Sequence, residues 1–203
     1  MTAVLERLAK WATRAAQKPG YADRADIQPD FAKDGRGKRL IFVAHCMLNQ
    51  NARDEGSADF PAMMKPLLDV LAAKDIGIVQ LPCPELMVLG LRRGRQALPS
   101  RTIRGRLEME ESQVRLKHLV DQVVYQIKEY QAQGFQVIGI LGKNESPTCG
   151  VRTTLQMRVR GEAEGVFIRL LRQGLKAEGL DVGVQGIDGH CQQLAIDWVL
   201  TRI

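Results

Sequence analysis

The chain has 203 residues, 45% hydrophobic and 26% charged, values of a globular protein with one sizeable core rather than of a disordered or fibrous chain. No apolar run approaches the roughly 18 residues that span a bilayer, which excludes a membrane-spanning helix. The net charge is +6, and between Leu91 and Leu107 stand six arginines and no acid, so one loop carries as much charge as the whole surplus.

Taken in chain order, the elements alternate. The opening stretch MTAVLERLAKWATRAAQ is charged throughout and lacks the apolar core of a secretory signal; the expectation is a cytoplasmic protein. Val4, Leu5, Leu8, Trp11 and Ala15 recur at helical spacing, and turn formers follow up to about residue 38. Residues 1–38 therefore read as an N-terminal helical extension and 39–203 as the main domain. RLIFVAHC (39–46) is a buried strand and PAMMKPLLDVLAAKD a helix. IGIVQLPC (76–83) is a second strand, followed by the arginine loop and a long helix over about 108–133. FQVIGILG (135–142) is a third strand, and GEAEGVFIRLLRQGLKAEG is helical. LDVGVQGID (180–188) is a fourth strand, and CQQLAIDWVLTRI closes as a helix. Short apolar strands separated by helices predict an α/β fold. The expectation is a single Rossmann-like or flavodoxin-like domain, with a mostly parallel sheet of about four strands flanked by helices.

The four cysteines follow the strands. Cys46 and Cys83 end the first two, Cys149 lies a short loop beyond the third, and Cys191 follows the fourth. In an open parallel sheet these ends share one edge, where ligands bind. In a reducing compartment, thiols serve as ligands or catalysts more often than as disulfides. By spacing alone, three readings stand: a metal or cluster site, buried small side chains, or a nucleophile. No CxxC pair marks a structural zinc. His45 and His190 each adjoin a cysteine, but neighbours on an extended strand face opposite ways. Glu85 lies two residues from Cys83, and Ser146 three before Cys149. A carboxylate and a hydroxyl beside such a site point to proton transfer. Their structural alternatives are an ion pair or solvent exposure for Glu85 and a cap for Ser146.

Three stretches together resemble the thiouracil desulfurase (TudS-like) family. HCMLNQNARDEG is similar to the first family motif through Cys46, Leu48, Asn51, Arg53 and Gly56. CPEL matches the second through Cys83, Pro84 and Glu85. KNESPTCG matches the third through Lys143, Ser146, Pro147, Cys149 and Gly150. The likeness covers roughly residues 39 to 190. It departs at Asn49, at Asp54, in the longer basic loop LMVLGLRRGRQALPSR and in the N-terminal extension, and Cys191 has no usual counterpart. The resemblance implies a 4Fe-4S cluster held by Cys46, Cys83 and Cys149, with one iron open to take sulfur from a thiocarbonyl compound. Glu85 and Ser146 would then move protons for the attacking water and the departing sulfur.

The implied activity is a desulfidase acting on a thiolated uracil-type base, nucleotide or RNA and releasing sulfide. Asn51, Arg53, Arg92 and Arg93 are the candidate substrate-binding residues. The Arg92–Arg106 loop is a candidate RNA or phosphate contact, although Glu108, Glu110 and Glu111 offer it internal partners. The alternative is a non-enzymatic iron–sulfur or redox-responsive nucleic-acid-binding protein with Cys191 as fourth ligand. A zinc-binding domain is a third reading, weakened by the missing paired spacing.

Overall fold

Residues Arg39–Ala44 form strand β1, and their alternation divides the core in two. Leu40 and Phe42 enter one apolar cluster, while Ile41 and Val43 enter the other, as the period of two along a strand requires. Both faces of β1 are thus covered, the condition under which parallel sheets form. The computed structural model describes residues 34–94, 102–156 and 159–203. The expected N-terminal helix, and Arg95 and Arg101 of the basic loop, lie outside the described residues.

Strands β2 (Gly77–Leu81), β3 (Gln136–Lys143) and β6 (Val184–Ile187) join β1 in the order β2-β1-β3-β6. Every pairing is parallel. A separate antiparallel hairpin, β4 (Thr153–Gln156) with β5 (Val159–Glu162), lies outside this sheet. Helices α5 (Glu110–Ala132) and α6 (Val166–Ala177) supply one apolar cluster, with residues such as Val120, Val124, Phe167 and Leu171. Helices α2 (Lys65–Ala73) and α7 (Gln193–Leu200) supply the other, through Leu67, Leu71, Ile196 and Val199. The three- and four-residue spacing of these side chains gives each helix one apolar stripe. Short helices α1 (His45–Leu48), α3 (Pro84–Leu89) and α4 (Ile103–Leu107) lie in the connections. Among the described residues, no helix is long and apolar enough to cross a membrane.

Some boundaries differ from the sequence expectation. The first strand stops at Ala44, and His45 and Cys46 lie on a helical turn instead of on opposite faces of a strand. That turn brings Met47 into the second apolar cluster. Gly161 and Glu162 belong to the hairpin, so the helix expected from residue 161 opens at Val166. The fourth strand begins at Val184.

From β1 the chain crosses to one side for β2 and back to the other side for β3. The reversal falls between β1 and β3, and in open parallel sheets ligands bind beyond the carboxyl ends of strands at such a reversal. Register aligns those ends: Ala44 pairs with Leu81, Val43 with Leu141, and Lys143 with Ile187.

The loop after β3 carries the third motif, and the start of α6 holds it. The first backbone N–H groups of a helix have no partner within the helix. Here the amide of Gly165 donates to the Gly150 carbonyl at 2.8 Å, Val166 to Pro147 at 3.1 Å and Phe167 to Thr148 at 3.0 Å. The approach is so close that a Cβ on Gly165 would run into the Thr148 carbonyl, and one on Gly142 would meet that of Cys149. Gly165→Ala is accordingly expected to cost about 1–3 kcal/mol by overpacking and to loosen the loop. Thermal unfolding and faster alkylation of Cys149 are the measurements that check it.

Candidate functional site

One cavity of about 630 Å³ opens at the carboxyl edge of the sheet, and Cys46, Cys83 and Cys149 all line it. Each reaches it by a different device. Cys46 sits on the turn that ends β1, and Cys83 precedes α3, whose first residue is Pro84. Proline suits that position because its missing N–H is one the helix start leaves unpaired anyway. Cys149 is carried by the loop latched to α6. Cys191 is exposed and is not among the residues lining the cavity. Neither His45 nor His190 lines it either, so the nucleophile reading lacks its imidazole base. Among the described residues, no group of three His, Cys, Asp or Glu side chains is arranged to hold a single metal ion.

All three thiols hold their protons tightly. Burial pushes Cys46 up to about 11; Arg53 and Lys143 oppose the rise, while Cys83 and Glu85 add to it. Burial likewise raises Cys83, partly offset by the Leu86 amide. Cys149 is raised well above its ordinary value by burial, with Cys83, Cys46 and Glu85 adding to the effect and Arg93 opposing it. The mutual influence of the three sulfurs reflects their convergence on one space.

Glu85 is the centre of the polar network. Its Oε2 accepts from Arg93 Nε at 2.7 Å, and its Oε1 accepts from Thr148 Oγ1 at 2.7 Å and Ser146 Oγ at 3.4 Å. Arg93 is only 2% exposed and also donates through Nη2 to the Ala52 carbonyl at 2.8 Å. Ser146 Oγ in turn accepts from the amides of Thr148, at 3.2 Å, and Cys149, at 3.0 Å. With its acceptor positions taken by two amides, the hydroxyl directs its own hydrogen to Glu85. Both structural alternatives for these residues are therefore present, an ion pair for Glu85 and a turn-capping role for Ser146, and both side chains still line the cavity.

The candidate substrate-binding residues separate. Arg53 and Arg93 line the cavity. Asn51 is exposed, with its side chain held by Asn49 at 3.0 Å. Arg92 is exposed as well, and neither Asn51 nor Arg92 lines the cavity. Arg93 holds Glu85 in place of presenting free donors, because burying a guanidinium demands a partner. The two other described arginines of the basic loop are engaged internally. Arg104 pairs with Glu108 at 3.1 Å and donates to the Glu164 carbonyl at 3.1 Å, and Arg106 donates to the Arg93 carbonyl at 2.9 Å.

Three contributors were not singled out in the sequence. Thr148 stands between Pro147 and Cys149, where the family motif has a serine, so it keeps the hydroxyl that reaches Glu85. Asp59 receives Arg53 in a short ion pair and faces Lys143 at 3.6 Å and His190 at 3.9 Å. Gln50 connects this group to the first cysteine: its Nε2 donates to the Cys46 carbonyl, and its Oε1 accepts from the Asp59 amide at 3.0 Å.

No family model matches the chain. An uncharacterized protein of Methanocaldococcus jannaschii is 28% identical over 116 residues, covering 57% of this chain and 70% of that protein. Among solved structures, the 4Fe-4S-dependent thiouracil desulfidase TudS is similar with 22% identity and a TM-score of 0.47, covering 81% of this chain and 99% of that one.

Two outcomes follow from the geometry. Replacing one member of a buried ion pair strands the other, at a cost of about 3–5 kcal/mol. Glu85→Gln should therefore lower stability to urea by about 3 kcal/mol, and adding Arg93→Met should recover much of the loss; purely additive losses would contradict the pairing. In protein without bound metal, the native Cys46 thiol keeps its proton up to about 11, whereas an ordinary thiol loses it near 9.0. The native state then binds more protons across that interval, so stability should fall as pH rises from about 9 toward 11. Urea titrations at several alkaline pH values read this out, and Cys46→Ser should flatten the dependence.

Proposed function

We propose that the chain is an iron–sulfur-cluster-dependent desulfidase, removing sulfur from a thiolated uracil-type base, nucleotide or RNA and releasing sulfide. The observation that carries this reading is the convergence of three thiols from three distant motifs on one cavity, beside a carboxylate–hydroxyl pair. A set of three thiolates is the donor chemistry of iron–sulfur clusters. The cavity that the three thiols line has a volume of about 630 Å³. Cationic side chains at Arg53, Arg93 and Lys143 oppose the raised proton affinity of the cysteines, and so favour the deprotonated state that metal ligation needs.

Cys46, Cys83 and Cys149 are the proposed ligands; when bound, the cluster supplies an iron without a protein ligand, a Lewis acid for the sulfur of the substrate. The remaining chemistry falls to the protein. Glu85, held as an acceptor by Arg93 and Thr148, takes a proton from water as the oxygen adds to carbon. Ser146, hydrogen-bonded to Glu85, relays that proton onward to the departing sulfur, which returns Glu85 to its carboxylate form. Arg53 lines the same cavity and acts on the Cys46 thiol. Among the loop arginines described, only Arg92 is left exposed without an internal partner in view, while Arg93 and Arg104 line the cavity.

Anaerobic reconstitution should give protein with iron, sulfide and visible absorption, and incubation with 2-thiouracil or 4-thiouracil should release sulfide. Cys46→Ser, Cys83→Ser and Cys149→Ser should each lose the cluster, whereas Cys191→Ser should keep it. Ser146→Ala should retain the absorption but slow sulfide release by about 10²- to 10⁴-fold. A reconstituted cluster with no sulfide release from thiouracil, its nucleotide or thiolated RNA would overturn the assigned activity. Failure to bind iron at all would overturn the cofactor.

A further inference from the structure

Lys143 ends strand β3, at the reversal of the sheet between β1 and β3. It lines the cavity yet is only 4% exposed. An ammonium carries three N–H donors and accepts nothing, and burying one without strong partners is costly. The partners of Lys143 are weak. Its Nζ donates to the Asn144 carbonyl at a long 3.3 Å and stands 3.6 Å from Asp59 Oδ2, beyond hydrogen-bonding distance. The same carboxylate oxygen already takes the short contact from Arg53. Two cations thus share one carboxylate, and the other titratable neighbour, His190, is exposed and 3.9 Å away from Oδ1. Positive charge and unused donors are left at the cavity wall, on the side of Cys46.

We infer that Lys143 is a substrate-binding residue whose ammonium donates to an electron-rich atom of a thioamide ring, a carbonyl oxygen or an ionised ring nitrogen. This rests on the desulfidase reading and narrows its substrate class. A thioamide that has lost its N–H proton spreads negative charge over nitrogen and sulfur, and the surplus cation matches that charge. Arg53 remains tied to Asp59 while Lys143 turns its free donors to the ligand. The arrangement also explains why a lysine is kept in a place where an apolar side chain of equal length would be the more stable choice.

The test uses the anaerobically reconstituted protein with Lys143→Met, which keeps the side-chain length and removes the charge, and Lys143→Arg. Three quantities are compared with wild type: iron and sulfide content, melting temperature, and affinity for 2-thiouracil and uracil by calorimetry alongside kcat and KM. The expected result for Lys143→Met is unchanged iron and sulfide, an equal or higher melting temperature, and affinity weakened by about 10- to 100-fold, the scale of one lost charge-assisted hydrogen bond. Lys143→Arg should fall between the two. Loss of iron would make Lys143 a support of the metal centre, and a lower melting temperature would make it structural; either overturns the inference. Equal affinity in wild type and Lys143→Met overturns it alone. A wild type that holds iron but neither binds nor desulfurises thiouracil overturns this inference, and failure with its nucleotide and with thiolated RNA as well overturns the parent reading.

Discussion

The buried ion pair between Arg93 and Glu85 ties together the three loops that build the cavity. Glu85 belongs to the loop after β2, and Arg93 reaches back from eight residues further on to meet it at 2.7 Å. Through its second nitrogen Arg93 grips the Ala52 carbonyl in the loop after β1. Through its other oxygen Glu85 takes Thr148 and Ser146 of the loop after β3. A charge excluded from water cannot go unpaired, so each loop is held where the others need it. The orientation of the candidate proton-transfer pair is a by-product of the same requirement.

A second network does similar work around the first cysteine. Gln50 links the Cys46 carbonyl to Asp59, and Asp59 gathers Arg53 and Lys143. The two networks differ in their charge balance. Around Glu85 the single cation is matched by the single carboxylate. Around Asp59 the cations are in excess, and that excess lies beside the cysteine whose proton Arg53 and Lys143 loosen.

The chain also separates rigidity from chemistry. The sheet register fixes where β1, β2 and β3 end, and the latch of the cysteine loop to the start of α6 fixes the last of the three thiols. Backbone hydrogen bonds and close glycine contacts set these positions, with tolerances well below the size of a side chain. The basic loop contributes differently. Of its described arginines, Arg93, Arg104 and Arg106 serve as internal connectors, which explains how so much positive charge is accommodated near a cluster of cysteines.

Much of this was legible in the residues themselves. Apolar runs broken by helical periodicity gave the parallel α/β sheet, because a strand buried on both faces has no polar alternation to show. The placement of Cys46, Cys83 and Cys149 after strands gave their common edge, because parallel strands all end on the same side. What remained hidden depended on contacts between residues far apart in the chain. No local pattern distinguishes Arg93 from Arg92, yet one is buried against Glu85 and the other faces solvent. Nothing near Asp59 or Gly165 marks them as parts of the site, since each acts on a partner from another segment. Cys191 obeyed the same sequence rule as the other three cysteines and still lies outside the cavity, because the edge of a sheet is longer than one site. Periodicity along the chain decides which edge carries the chemistry; only the packing of loops against one another, driven by the need to pair every buried charge and amide, decides which side chains meet there.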